Sequence, residues 1–202
     1  MLKTIVAEFL STPEACVPNG AYKMKTIIVM LVVLVSGFTA LTAGHVAKAP
    51  QADPIETIRQ HYADVNKNVP LYRRVKKNLS GFSGEGGVLV AYFHGPSVMK
   101  MVATFFGETG KAVEEYYFWN GKLIFVLSTD NRYDKPLSGK VVRKTEGRFY
   151  FKDDKLIKWL GADGKEVASD STEYAGKQTD YLKIAKELSD GANSKNPTIE
   201  SP

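Results

Sequence analysis

The chain has 202 residues, little more than one typical domain, and is 44% hydrophobic and 24% charged with a net charge of +5 at pH 7. That mild basic excess permits contact with anionic glycans or lipid headgroups, but it is not the clustered footprint of a nucleic-acid binder. The single cysteine, Cys16, rules out a disulfide framework.

Residues 1–23 carry few charges and no apolar period, and read as a misassigned upstream extension ahead of a start at Met24. Met24 and Lys25 open a basic stretch, and Thr26–Ala43 is an uncharged run rich in Ile, Val and Leu. Small residues recur at Ala40, Ala43, Ala47 and Ala49. This is the layout of a secretory signal peptide over 24–44, with cleavage between Ala43 and Ala52. The alternative is a retained anchor, since the run is just long enough to span a bilayer. Ser36, Gly37, Thr39 and Thr42 dilute it, and no basic cluster follows, which favours cleavage. A lipoprotein signal would need a cysteine just after the run, whereas Cys16 precedes it. The expected location is periplasmic or secreted, with no membrane span after cleavage.

Residues 45–52 read as a linker. Asp53-Pro54-Ile55-Glu56 has the form of a helix start, with a capping Asp, a Pro at the first position and a Glu for a capping box. Ile55, Ile58, Tyr62, Val65 and Val69 then recur at helical spacing, and Pro70 ends the helix. Leu71–Leu79, with four basic residues, is open between a second short helix and an irregular strand. Ser80–Gly87 is a flexible turn. Strands are predicted over Val88–Phe93, Val98–Phe106 and Lys111–Trp119, with turns at His94–Ser97 and Gly107–Gly110.

The strongest local signal is Glu114–Ser128, EEYYFWNGKLIFVLS. Asn120-Gly121 suits a type I′ turn, whose twist matches paired strands. A two-residue loop predicts the pairs Phe118–Leu123, Tyr117–Ile124 and Tyr116–Phe125. Thr129–Gly139 is a longer loop, Lys140–Arg143 a short strand, and Arg148–Leu160 a second hairpin around Asp153-Asp154. Tyr181, Ile184, Ala185 and Leu188 mark a C-terminal helix. Ser189–Pro202, nearly free of apolar residues, is expected to be a disordered tail. The prediction is thus a single α+β domain over 53–188: an antiparallel meander of about six to eight strands, flanked by an N-terminal and a C-terminal helix.

The two hairpins repeat each other. YYFWNGKLIFVL (116–127) and FYFKDDKLIKWL (149–160) share Tyr, Phe, Lys, Leu, Ile and Leu at matching places. Over about 105–165 they resemble the tandem hairpins of MORN-variant repeat proteins, whose short units have the form aromatic-x-x-Gly-Lys-Leu, without the regular glycines of true MORN repeats. The chain beyond the signal also resembles exported bacterial proteins of unknown function. Neither resemblance brings catalytic residues.

With strict alternation, Tyr116, Phe118, Leu123, Phe125 and Leu127 share one face, and Tyr117, Trp119, Ile124 and Val126 share the other. Both faces are apolar, so either the two helices cover them or a groove lined by Tyr and Trp stays partly open. The candidate ligand-binding residues are Tyr117, Trp119, Tyr150 and Trp159. Lys152, Lys155 and Lys158 alternate with rings next to Arg148. They form either an anion patch or a wet edge whose lysines block strand pairing.

Catalytic patterns are missing. His45, His61 and His94 are far apart, and no metal-ligand spacing occurs, so no metal and no cofactor is expected. Gly81–Glu85 lacks the order of a nucleophile elbow, and Gly107–Lys111 that of a P-loop. Glu114 and Glu115 point to opposite faces of a strand. The sequence therefore predicts a non-enzymatic exported binding or protein-interaction module. The alternative is a periplasmic carrier of a small apolar or glycan ligand held between sheet and helices.

Overall fold

The structure, a computed structural model, describes residues 52–201. The upstream extension, the signal peptide and nearly all of the linker lie outside the described residues. Helix α1 spans Pro54–Asn68. Asp53 caps it, its carboxylate accepting the Ile55 N–H at 2.9 Å, and a 3-10 turn at Val69–Leu71 closes it around Pro70. The basic segment that follows is a strand, β1 (Arg73–Ser80). Its period is two: Val75, Lys77 and Leu79 turn inward while Arg74, Lys76 and Asn78 stay exposed.

Six strands then run as a meander: β2 (Gly87–His94), β3 (Ser97–Gly107), β4 (Gly110–Trp119), β5 (Lys122–Tyr133), β6 (Val141–Lys152) and β7 (Lys155–Leu160). Helix α2 (Thr172–Asn193) follows, capped by the Ser171 hydroxyl, which accepts the Tyr174 N–H. A last strand, β8 (Thr198–Glu200), pairs in parallel with β1. The eight-stranded sheet has the order β7-β6-β5-β4-β3-β2-β1-β8. The fold is α+β, an antiparallel meander with α1 before it and α2 after it, as the sequence predicts.

The expected disordered tail is corrected at two places. Residues 189–193 complete α2, and β8 closes the edge of the sheet. Ile199 is buried against Gly191. The Lys77 ammonium, itself buried, donates to the carbonyls of Ser194 at 2.7 Å and Asn196 at 2.5 Å. One apolar anchor and one charge-assisted pair of hydrogen bonds are enough to order so short a segment.

The central hairpin has the predicted turn, with φ of 50° at Asn120 and 75° at Gly121, but not the predicted register. Phe118 faces Leu123 as expected; Tyr117, however, faces Phe125 and Tyr116 faces Val126. Ile124 is an extra residue, a β-bulge. Beyond it every side chain changes face, so Phe125 and Leu127 join Tyr117, and Val126 joins Tyr116. The same shift recurs at Tyr150/Phe151 and at Tyr92/Phe93. The repeat therefore has three copies, the third being Tyr92-Phe93…Val98-Met99. In each, Phe and the first aliphatic residue enter the core beneath α2. The bulged residue of each (Met99, Ile124 or Ile157) joins the layer beneath α1.

The two helices cover the sheet unequally. Beneath α2, the side chains of Tyr174, Tyr181, Ala185, Leu188 and Ala192 meet a core running from Leu79 and Leu89 to Phe149 and Trp159. The largest buried rings each contribute about 1.5–3 kcal/mol of burial free energy. Helix α1 lies on one register row of the opposite face, Lys100–Tyr117–Phe125–Tyr150. Its Tyr62 ring sits 4.8 Å from Tyr117 and 5.4 Å from Phe125.

Candidate functional site

Where α1 leaves that face uncovered, two cavities open beside it. The larger holds about 410 Å³. Ile58 and Tyr62 of α1 and Phe125, Leu127 and Tyr150 of the sheet form its apolar wall. Arg59, Glu146 and Arg148 form its polar side. The second, of about 310 Å³, lies where the N-terminal end of α1 meets the tips of two hairpins. Trp119 and His61 stack there with ring centroids 3.7 Å apart, beside Lys122, Lys152 and Asp153.

The predicted site residues are thus divided. Tyr150 and Arg148 share the larger cavity, whereas Trp119 and Lys152 share the smaller. Tyr117 is fully buried under Tyr62 and forms part of the floor that supports α1. Trp159 is on the opposite face, 8% exposed and stacked on Phe149 at 5.2 Å. Lys158 stands beside Tyr150 in the register and pairs with Glu166 at 3.1 Å. Lys155 faces Lys152 across the hairpin tip and is exposed. The alternation of rings and cations therefore splits between two cavities and a solvated edge.

Sequence reading missed Arg59 and Glu146 as site residues. Arg59 follows Ile58 in a helix whose apolar stripe was evident, but only the packing of α1 on the sheet brings it to the cavity that Arg148 also lines. Glu146 precedes Arg148 by two residues and so shares its face; that spacing was the available signal.

Polar groups fix the far end of α1. The Lys100 ammonium bonds Glu115 at 2.6 Å and the Asn66 side-chain oxygen at 2.9 Å. The Tyr117 hydroxyl donates to Glu115 at 2.7 Å and lies 3.1 Å from the same Asn66 oxygen. Burial, then Glu115, pushes the Tyr117 phenol far up, so it remains a neutral donor. At the cavity, Lys144 lies 2.7 Å and Arg148 3.0 Å from Glu146, whose carboxylate is held below its usual range, chiefly by Lys144. Under α2 the Tyr116 hydroxyl donates to Glu114, whose carboxyl is pushed up by burial.

Among the described residues, no three or more His, Cys, Asp or Glu side chains gather as metal ligands, and no helix is long and apolar enough to cross a membrane. No protein-family model matches the chain, and neither a curated protein nor a solved structure is significantly similar to it.

Proposed function

We propose that this chain is an exported binding module, without chemistry of its own, that carries a small ligand between α1 and the sheet. The observation supporting it is the larger cavity. Its 410 Å³ falls within the size range of small-molecule sites, and mostly apolar walls with a few placed polar groups are the usual lining. Tyr62, Phe125 and Tyr150 line it with aromatic rings, which suit an apolar or glycan ligand. Export rests on the basic start at Met24-Lys25 and the apolar run after it.

A second reading, protein contact, is favoured by the edge of β6. Strand β7 pairs only with Arg148–Lys152, so the outer edge of Val141–Gly147 has no strand partner among the described residues. Val141 and Val142 are exposed there, and a free edge accepts an added strand.

Native mass spectrometry of the protein recovered from its own cell envelope tests both readings. Carriage predicts a mature N-terminus between Gly44 and Asp53 and an added mass that organic extraction removes. A bare monomer with no added mass would overturn carriage. A co-purifying chain lost on substitution of Val142 by Lys would support the edge instead.

A further inference from the structure

Two arginines from separate elements line one apolar cavity. Arg59 comes from α1 and Arg148 from β6. At exposed positions such like charges repel only weakly through solvent, and a group of opposite charge placed between them meets both. The protein supplies little of that charge. Arg59 reaches only Glu56, at 3.8 Å, with both side chains more than half exposed. Glu146 holds one nitrogen of the Arg148 guanidinium at 3.0 Å and also pairs with Lys144 at 2.7 Å. One carboxylate thus serves two cations, and the Arg148 fork keeps other N–H groups free. Beneath these charges the wall is apolar, formed by Ile58, Tyr62, Phe125, Leu127 and Tyr150.

We infer that the cavity takes a small amphiphile with an anionic head group, its head between Arg59 and Arg148 and its tail against Phe125, Leu127 and Tyr150. This rests on the carrier reading and narrows its ligand class. Guanidinium forks match the planar oxygens of carboxylates and phosphates, which favours these heads over a neutral alcohol. The volume suits a medium-length chain or a single aromatic acid. Glu146 favours a cationic head less than the arginines favour an anionic one, because Lys144 and Arg148 already neutralise it.

The test is titration calorimetry on the protein recovered from its cells and stripped of bound small molecules. The probes are decanoate, decyl phosphate, decan-1-ol and decyltrimethylammonium, each kept below its micelle concentration. Decanoate or decyl phosphate should bind at least about tenfold more tightly than decanol, as one charge-assisted bond is worth. Arg59→Gln and Arg148→Gln should each weaken the anion about tenfold and leave decanol unchanged. Both positions are exposed, so the thermal midpoint serves as a folding control. Leu127→Trp should block every probe and thereby locate the site. Equal binding of decanoate and decanol would overturn the head-group inference and leave carriage standing. Preferred binding of decyltrimethylammonium, or displacement of decanoate by inorganic phosphate at equal concentration, would also overturn it. Binding of none of the probes would count against carriage itself.

Discussion

Glu114 and Lys77 occupy one register row, Lys77–Leu89–Ala103–Glu114, on the face that α2 covers. They show two ways in which a charged group is held beneath a helix, Lys77 buried and Glu114 partly buried. Lys77 has two backbone carbonyls as acceptors, whereas Glu114 has the Tyr116 hydroxyl and only a distant attraction to Lys177. Burial therefore dominates, and the Glu114 carboxyl is raised above its ordinary 4.5. The folded protein then binds more protons than the unfolded chain in this window. The resulting stability is fully present below pH 4.5 and is lost as pH rises through the folded value. Glu114→Gln keeps an acceptor for Tyr116 but stays neutral. Its thermal midpoint should match the parent near pH 4 and exceed it near pH 7; a difference that is constant with pH would refute this. For Lys77→Met the stem still packs but the two carbonyls lose their donor. A cost of about 1.5–3 kcal/mol is expected, with the Ile199 amide losing hydrogen-exchange protection ahead of the sheet.

At the scale of elements, the three bulged hairpins define what the sequence could and could not disclose. Asn120-Gly121 and Asp153-Asp154 take positive φ as their residue types allow, so turns and strands were legible from composition. The bulge was not, because Ile124 and Phe125 are both apolar and either satisfies a buried position beside Tyr117. What fixes the choice is α1, whose Ile58 and Tyr62 need both side chains beneath them. Strand β8 was illegible for another reason: its anchors in β1, Lys77 and the strand edge from Asn78 to Ser80, are remote in the chain. The site was half legible, since Arg148 and Tyr150 stood out as a cation beside a ring while Arg59 depended on how α1 packs on the sheet. The bulge makes a specific prediction. Deleting Ile124 leaves Phe118–Leu123, Tyr117–Phe125 and Tyr116–Val126 as an ordinary unbulged register. The variant should therefore fold with the same faces and lose only the buried Ile side chain, about 2–5 kcal/mol. Thermal unfolding with near-ultraviolet circular dichroism would read this. Loss of the aromatic signal at low temperature would mean that the bulge's extra twist is itself required.

For the whole molecule, the two helices are held by different physics. Helix α2 contributes five buried residues to a core that spans the sheet from Leu79 to Trp159. Its side chains also serve β7 directly: Gln178 accepts the Leu156 N–H and the Tyr174 hydroxyl donates to the Leu156 carbonyl. Helix α1 buries only Ile58 and Val65 fully and leans on the Asn66–Lys100–Tyr117–Glu115 network. Apolar area sets the depth of a packing minimum, so α1 is the element with the lower opening free energy. This arrangement suits a carrier, since one wall of the cavity can then move without unfolding the sheet. Hydrogen exchange should show α1 amides opening well before those of α2 and β4. Asn66→Ala removes α1's bonds to Lys100 and Tyr117. It should lower α1's opening free energy by about 1–2 kcal/mol, roughly tenfold in exchange rate, and leave the exchange of α2 unchanged. If α1 and α2 instead exchanged together at one rate, in the parent and in the variant, α1 would be part of the global folding unit. A ligand would then have to enter through the open side of the cavity, past Arg59 and Arg148, with α1 fixed.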